Sequence, residues 1–229
     1  MKKNFKIKGD RLYEGLPREY RKSNLKAEDE YFDDEQENDG LVGHTEVIAT
    51  ADKIFINILG DITHELYDAL TPTLLEIVAS KNTNDIVIFI DSCGGLMEPT
   101  MDIVRLIKAM DNKVITVAFN NCSSSACLLF SLGDERYFLS GTEYIMHKVK
   151  ASLLDPNTWM QDEGFMELAK SLKEREEEYK KVILEGSDIP NSKLSDVFGS
   201  KEDTKFTEEE ILKYNIATKI IMKFSEIEM

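Results

Sequence analysis

Apolar positions along this chain gather into short β-branched runs separated by stretches of helical period, and the alternation begins only after residue 50. Lys53–Leu59 (KIFINIL), closed by Gly60, predicts a buried strand, as do Asp85–Ile90 (DIVIFI) and Lys113–Phe119 (KVITVAF), with a shorter strand at Arg136–Leu139 (RYFL). Residues 63–80 carry Leu66, Leu70, Leu74, Leu75 and Val78 at helical spacing, and Pro72 is expected to kink or divide that helix. Glu98 and Pro99 open a second helix with Met101, Ile103, Val104, Ile107 and Met110 on one face, and Ser123–Leu132 predicts a third, stopped by Gly133.

Strands alternating with helices predict an α/β fold of repeated βαβ units around a mostly parallel sheet with right-handed crossovers. A long charged helix is expected at Trp159–Leu184, with Phe165, Ala169, Leu172, Tyr179 and Ile183 on one stripe. It is too polar to be central and reads as a packing or assembly element projecting from the body. After a turn-rich stretch at Gly186–Ser192, Thr207 and Glu210 form a capping box for a helix at Glu208–Tyr214, and a last strand at Thr218–Phe224 ends the pattern.

The first part of the chain differs in kind. Residues 1–26 hold nine Lys/Arg against three Asp/Glu, whereas Glu28–Asp39 holds eight acids. Such charge segregation with little apolar content predicts a mobile arm over residues 1–45, ahead of a folded domain over 46–229. A functional reading of the arm is a gate or adaptor-contacting segment at a pore.

Bulk composition narrows the function classes. With 42% hydrophobic and 31% charged residues the chain fits a globular protein, and a net charge of −15 offers no basic face for nucleic acid. The apolar runs are far shorter than the roughly 20 residues a membrane-spanning helix needs, so no membrane contact is expected. Charges at Lys6, Lys8 and Asp10 interrupt any secretory signal, and a cytoplasmic location is expected. Cys93, Cys122 and Cys127 form neither an even disulfide set nor a metal-ligand spacing; reduced thiols in a core are expected, with no metal and no cofactor.

Chemistry narrows to three features. His147 directly follows the apolar run Glu143–Met146, at a strand end where α/β proteins gather functional groups, whereas His44 lies in the polar arm and His64 near a helix start. Ser123, Ser124 and Ser125 fall between a strand and a helix, where outward-pointing N–H groups suit an attacking oxygen, although the same residues equally suit helix capping. Gly94–Gly95 after a parallel strand lets the backbone approach a ligand closely.

From about Lys53 to Phe224 the chain resembles the Clp protease proteolytic subunit family, of the crotonase-like fold superfamily. IFINILGDIT is similar to that family's first core strand and turn, IVIFIDSCGG to the strand entering its Ser-Pro-Gly-Gly turn, and NNCSSSACLLFSLGD to its Ala-Ala-Ser-Met-Gly-Ala nucleophile segment. RYFLSGTEYIMHK resembles its Arg, strand and Met-Ile-His segment, and EDTKFTEEEILKYNIA its Arg-Asp-x-Phe-Leu-Ser segment. Counting back nine residues from Gly133 places the nucleophile at Ser124, with Ser125 the neighbouring alternative. Cys93 stands where the family has proline, Ser125-Ala126 where it has Met-Gly, and the glycine-rich loop expected after His147 is not recognisable in Lys148–Thr158.

The resemblance implies a crotonase-like fold with a projecting long helix and a serine endopeptidase with Ser124 as nucleophile, His147 as base and Asp203 orienting the base. Backbone N–H groups of Gly95 and Ser125 would form the oxyanion hole, and a bulky residue at Gly95 is expected to cripple turnover while leaving the fold intact. It also implies unfolded polypeptide or peptide substrates, an ATP-driven unfoldase as partner, and homo-oligomeric, stacked heptameric rings joined by the long helix. Other readings within the superfamily are a Ser/Lys hydrolase using Lys148 or Lys150 and an acyl-coenzyme A hydratase. A catalytically inactive scaffold or regulatory ring subunit is the non-enzyme reading.

Overall fold

The computed structural model describes residues 5–6, 43–150 and 162–228. The strands are β1 (Phe5–Lys6), β2 (His44–Ala49), β3 (Lys53–Leu59), β4 (Asp85–Ser92), β5 (Val114–Ser123), β6 (Glu135–Leu139), β7 (Glu143–Met146), β8 (Thr204–Lys205) and β9 (Lys219–Ile221). They form one sheet in the order β1-β2-β3-β4-β5-β6-β9, with β7 paired to β5 and β8 to β7. Strands β3 to β6 and β9 run parallel, whereas β1, β2 and β8 pair antiparallel with their neighbours.

Strand β4 shows why the sheet sits centrally. Ile86, Ile88 and Ile90 enter the main core with the helices, while Val87 faces a second cluster with Ile115, Val117, Tyr137 and Ile221. A strand buried on both faces reads as an unbroken apolar run, which is how DIVIFI was recognisable. The helices are α1 (His64–Ala79), α2 (Met97–Lys108), α3 (Ala126–Phe130), α4 (Asp162–Glu185), α5 (Asn191–Gly199) and α6 (Glu208–Lys213). The mixed α/β architecture, with the exposed N-terminal half of α4 standing off the body, is that of the crotonase-like fold expected from the sequence.

Several elements depart from the periodicity. Helix α1 runs unbroken through Pro72, because Pro72 and Asp68, whose carbonyl it frees, both lie on the exposed side while Leu66, Leu70, Leu74 and Ile77 anchor the other. Leu75 and Val78 face outward. The sheet includes β1 and β2, both ahead of Lys53, and an unforeseen helix, α5, follows Pro190, burying Leu194, Val197 and Phe198. Strand β9 is shorter than Thr218–Phe224, giving way to a 3-10 turn at Phe224–Glu226. Most of the charged arm, the Lys148–Thr158 stretch beyond Lys150 and the expected first turn of the long helix at Trp159 lie outside the described residues.

Arg136 ties β6 to the C-terminal segment. Only 7% exposed, it donates to the carbonyls of Gly133 (2.7 Å), Ile216 (2.9 Å) and Asn215 (3.0 Å) and to Asn215 Oδ1 (3.2 Å). Replacing it with leucine strands several buried acceptors at once, so Arg136→Leu is expected to lower unfolding free energy by about 3 kcal/mol. Chemical denaturation of the two proteins checks this, and an unchanged midpoint would show the network to be dispensable.

Candidate active site

Strand β5 changes partners along its length. Ile115–Ala118 pair with β6, whereas Asn121–Ser123 pair with β7. The change falls at Asn120, whose φ is +57°, beside a register shift between Ile90 and Ser92 on β4. Asp91 holds the bend: its carboxylate accepts from Asn120 Nδ2 at 2.9 Å, the Asn121 N–H at 3.2 Å and Asn121 Nδ2 at 3.4 Å. This extension shortens the helix expected at Ser123–Leu132 to Ala126–Phe130, since Ser123 ends the strand, Ser124 and Ser125 turn, and α3 begins at Ala126.

Ser124 takes φ +53°, a left-handed conformation that costs an L-residue roughly 1–2 kcal/mol. Its N–H donates to the Ile145 carbonyl at 2.8 Å, and its own carbonyl accepts from the Cys127 N–H at 3.0 Å and from the Tyr179 hydroxyl at 2.7 Å. Of the three serines, only Ser124 is half-exposed; Ser123 and Ser125 are 8% and 2% exposed. Capping does not explain them: Ser125 sits at the N-cap of α3 without a side-chain capping bond, its Oγ lying 3.4 Å from the Gly95 carbonyl.

Gly94 and Gly95 close the other side. A side chain on Gly94 (φ +98°) would put its Cβ 2.6 Å from Ser124 Cβ and 2.9 Å from Ser125 N. Gly95 bridges Ile62 in parallel, with the Leu96 N–H on the Ile62 carbonyl and the Ile62 N–H on the Gly94 carbonyl, both at 2.8 Å. Among the described residues the backbone N–H groups of Gly95 and Ser125 have no backbone acceptor. One glycine expectation is corrected here: a Cβ on Gly95 would lie 2.3 Å from the Ile62 carbonyl oxygen at φ +148°, so a bulky residue there disturbs the fold itself.

His147 and Asp203 flank the β7–β8 ladder. Ile145 pairs with Lys205 and Met146 with Thr204, so one further step of the register sets His147 opposite Asp203. The parallel register Ser123↔Ile145 likewise brings the end of β5 alongside the approach to His147. Among the described residues, however, no hydrogen bond joins the three side chains. His147 Nδ1 lies 2.7 Å from the Lys148 carbonyl, which accepts only, so in the neutral ring Nδ1 carries the proton and Nε2 the lone pair. Asp203 Oδ1 accepts from Lys150 Nζ at 3.2 Å, an exposed pair.

Two residues near the site escaped sequence reasoning. Asp91 had one signal, an acid at the end of an apolar strand just before Cys93-Gly94-Gly95. Tyr179 had another, a hydroxyl on an otherwise apolar stripe, since a buried tyrosine needs a hydrogen-bond partner. Cys122 and Cys127 are buried as expected, but Cys93 is exposed rather than in the core, and partial enclosure, with Asp61, Asp91 and Glu143 nearby, pushes its thiol pKa up. Among the described residues no cluster of three His, Cys, Asp or Glu side chains is grouped to hold a metal ion, and no helix is long and apolar enough to cross a membrane.

The family model described as Clp protease matches residues 42–224. The ATP-dependent Clp protease proteolytic subunit 3 of Rhodococcus jostii is 24% identical over 183 residues, 77% of this chain and 87% of the relative. Subunit 2 of Pseudomonas aeruginosa is 26% identical over 155 residues, 67% of this chain and 74% of that protein. The Streptococcus mutans proteolytic subunit is 26% identical over 95 residues, 41% of this chain and 48% of that relative.

The contact between Gly94 and Ser124 is directly testable. With Ser124 as the nucleophile expected from the sequence, Gly94→Ala is expected to push the Ser124 turn out of place and slow fluorophosphonate labelling about a hundredfold, the cost of an ångström-scale misplacement. Labelling at the native rate would show that the turn absorbs the methyl group.

Proposed function

The chain belongs to the Clp protease family, and from that premise we propose that it is a serine endopeptidase subunit with Ser124 as nucleophile, His147 as general base and Asp203 as the group that orients the base. The observation that carries this reading is Ser124 itself: a half-exposed serine in a strained left-handed turn at a strand end, beside two N–H groups without a backbone acceptor. Strain of this kind concentrates at functional sites.

The chemistry follows from those groups. Neutral His147 takes the Ser124 proton on Nε2 as Oγ attacks the peptide carbonyl, and the carbonyl's π electrons move onto its oxygen. The N–H groups of Gly95 and Ser125 meet that negative charge. Collapse of the intermediate re-forms the carbonyl and breaks the C–N bond, with His147 giving its proton to the departing amine. Water, deprotonated by the same imidazole, then releases the acid from the acyl-enzyme.

Asp203 contributes once it exchanges Lys150 for the His147 Nδ1–H, which must itself leave the Lys148 carbonyl. The exchange is inexpensive, because the Lys150 and Asp203 side chains are 64% and 54% exposed, and exposed ion pairs are worth about 0–1 kcal/mol. Lys150 Nζ donates to Asp203 and, among the described residues, makes no hydrogen bond to Ser124, which disfavours the Ser/Lys reading in which Lys150 is the base.

The relatives' names include "ATP-dependent", and the proposed working form is a homo-oligomeric ring fed with unfolded polypeptide by an ATP-driven unfoldase. The projecting half of α4, which exposes Phe165 and Met166, is suited to joining such assemblies.

Ser124→Ala is expected to cut hydrolysis of a fluorogenic peptide by about 10⁴–10⁶ and abolish fluorophosphonate labelling, while Ser125→Ala retains both. The reverse pattern moves the nucleophile by one residue, and an unlabelled wild type leaves the inactive-scaffold reading. Lys150→Met separates the two base assignments: it is expected to leave turnover unchanged or raise it by up to about fivefold, the equivalent of about 1 kcal/mol. Loss of activity in Lys150→Met would instead make that lysine the base.

A further inference from the structure

Helix α4 reaches the nucleophile through one side chain. Tyr179 is 3% exposed, its ring packs edge-on to Phe198 at 5.3 Å, and its hydroxyl donates to the Ser124 carbonyl oxygen at 2.7 Å. Burial holds the phenol's pKa well above its usual range, so it remains a proton donor across neutral pH. The Cys127 N–H, at 3.0 Å, already gives that oxygen one donor. Tyr179 is therefore not needed merely to avoid an orphaned carbonyl.

The consequence lies at the other end of the same peptide unit. A carbonyl and the following N–H share a rigid plane and point in opposite directions, and the N–H joined to the Ser124 carbonyl is that of Ser125. That N–H has no backbone acceptor among the described residues, and Ser124 on its near side is in the left-handed region. Rotation of this one plane, through ψ of Ser124 and φ of Ser125, would leave φ of Ser124 unchanged but turn the Ser125 N–H away from its present direction. A donor on the carbonyl oxygen opposes the rotation. It also draws electron density toward oxygen, which makes the N–H a stronger donor.

We infer that Tyr179 is a positioning residue for acyl transfer, fixing and polarising the Ser124–Ser125 peptide so that the Ser125 N–H is aimed at the developing oxyanion. This rests on the serine peptidase reading and adds to it a link from the long helix to the reacting centre, so that a displacement of α4 is felt first as a weakened oxyanion donor.

Tyr179→Phe in the full-length, assembled protein keeps the ring and removes the hydroxyl. On a short fluorogenic peptide, kcat is expected to fall about tenfold with KM unchanged, less than the 10²–10³ lost when an oxyanion donor is removed outright. Affinity for a peptide boronate, which presents a tetrahedral anion, should fall by the same factor while the melting temperature holds. Substitution of Tyr179 by 3-fluorotyrosine, a stronger donor of nearly the same shape, should move kcat and boronate affinity the other way, and it serves alone if Tyr179→Phe does not fold. Unchanged kcat and boronate affinity, or a loss confined to KM or to thermal stability, would overturn the inference and leave the peptidase reading standing. A wild-type protein that fluorophosphonate does not label at Ser124 would overturn both.

Discussion

A left-handed serine at the end of a parallel strand is the constraint on which the functional half of this molecule depends. Backbone at φ +53° is uphill for any residue with a Cβ, and it persists because its surroundings leave no cheaper arrangement. The N–H of Ser124 is held by Ile145, its carbonyl by Cys127 and Tyr179, and its Cβ fits only because Gly94 has none. Each partner comes from a different element: β7, the start of α3, α4, and the turn after β4. The strain thus couples four parts of the fold to one half-exposed side chain.

Delivery of that serine depends in turn on β5 leaving one partner for another. Had β5 stayed paired with β6, its end would point into the main sheet, far from β7 and β8. The bend at Asn120, clamped by the Asp91 carboxylate, redirects the last three paired residues onto β7, and β7 carries the antiparallel β8 on its other side. Three strand ends therefore converge from neighbouring positions: Ser124 after β5, His147 after β7 and Asp203 before β8. The separation of these residues in sequence is a consequence of topology, because β8 returns to the site only after α4 and α5 have been traversed.

How much of this was legible in the chain varies with the kind of signal. Strands such as Lys53–Leu59 and Glu143–Met146 stood out to the residue, because short runs rich in β-branched and aromatic residues mark a strand even where only alternate positions are fully buried. The capping box at Thr207 and Glu210 was equally plain, since its chemistry is local. Two features hid. Asn120-Asn121 looked like the end of a strand, although the strand continues through them with a new partner, a fact fixed by the distant Asp91. Helix α5 was masked by the Gly186–Ser192 cluster, although Leu194, Val197 and Phe198 carry the helical spacing. Capping also seemed a ready use for the serines, and it is the left-handed turn at Ser124 and the missing capping bond at Ser125 that argue against it.

The His147 and Asp203 arrangement shows what a register can and cannot specify. Strand pairing dictates which residues face each other, and one step beyond the Met146↔Thr204 pair it sets His147 opposite Asp203. Side-chain partners are chosen by weaker, local energies, and here each group has taken the nearest one, a neighbouring carbonyl for Nδ1 and an exposed ammonium for the carboxylate. The Lys148 carbonyl already selects, in the neutral ring, the tautomer that leaves Nε2 free, so in the proposed mechanism the base is poised before Asp203 engages it. What Asp203 can add is stabilisation of the imidazolium, and that need arises only once the proton has moved. A backbone acceptor at rest and a carboxylate under charge would give this site a base held in the right tautomer by the fold, with its full electrostatic support coming from β8.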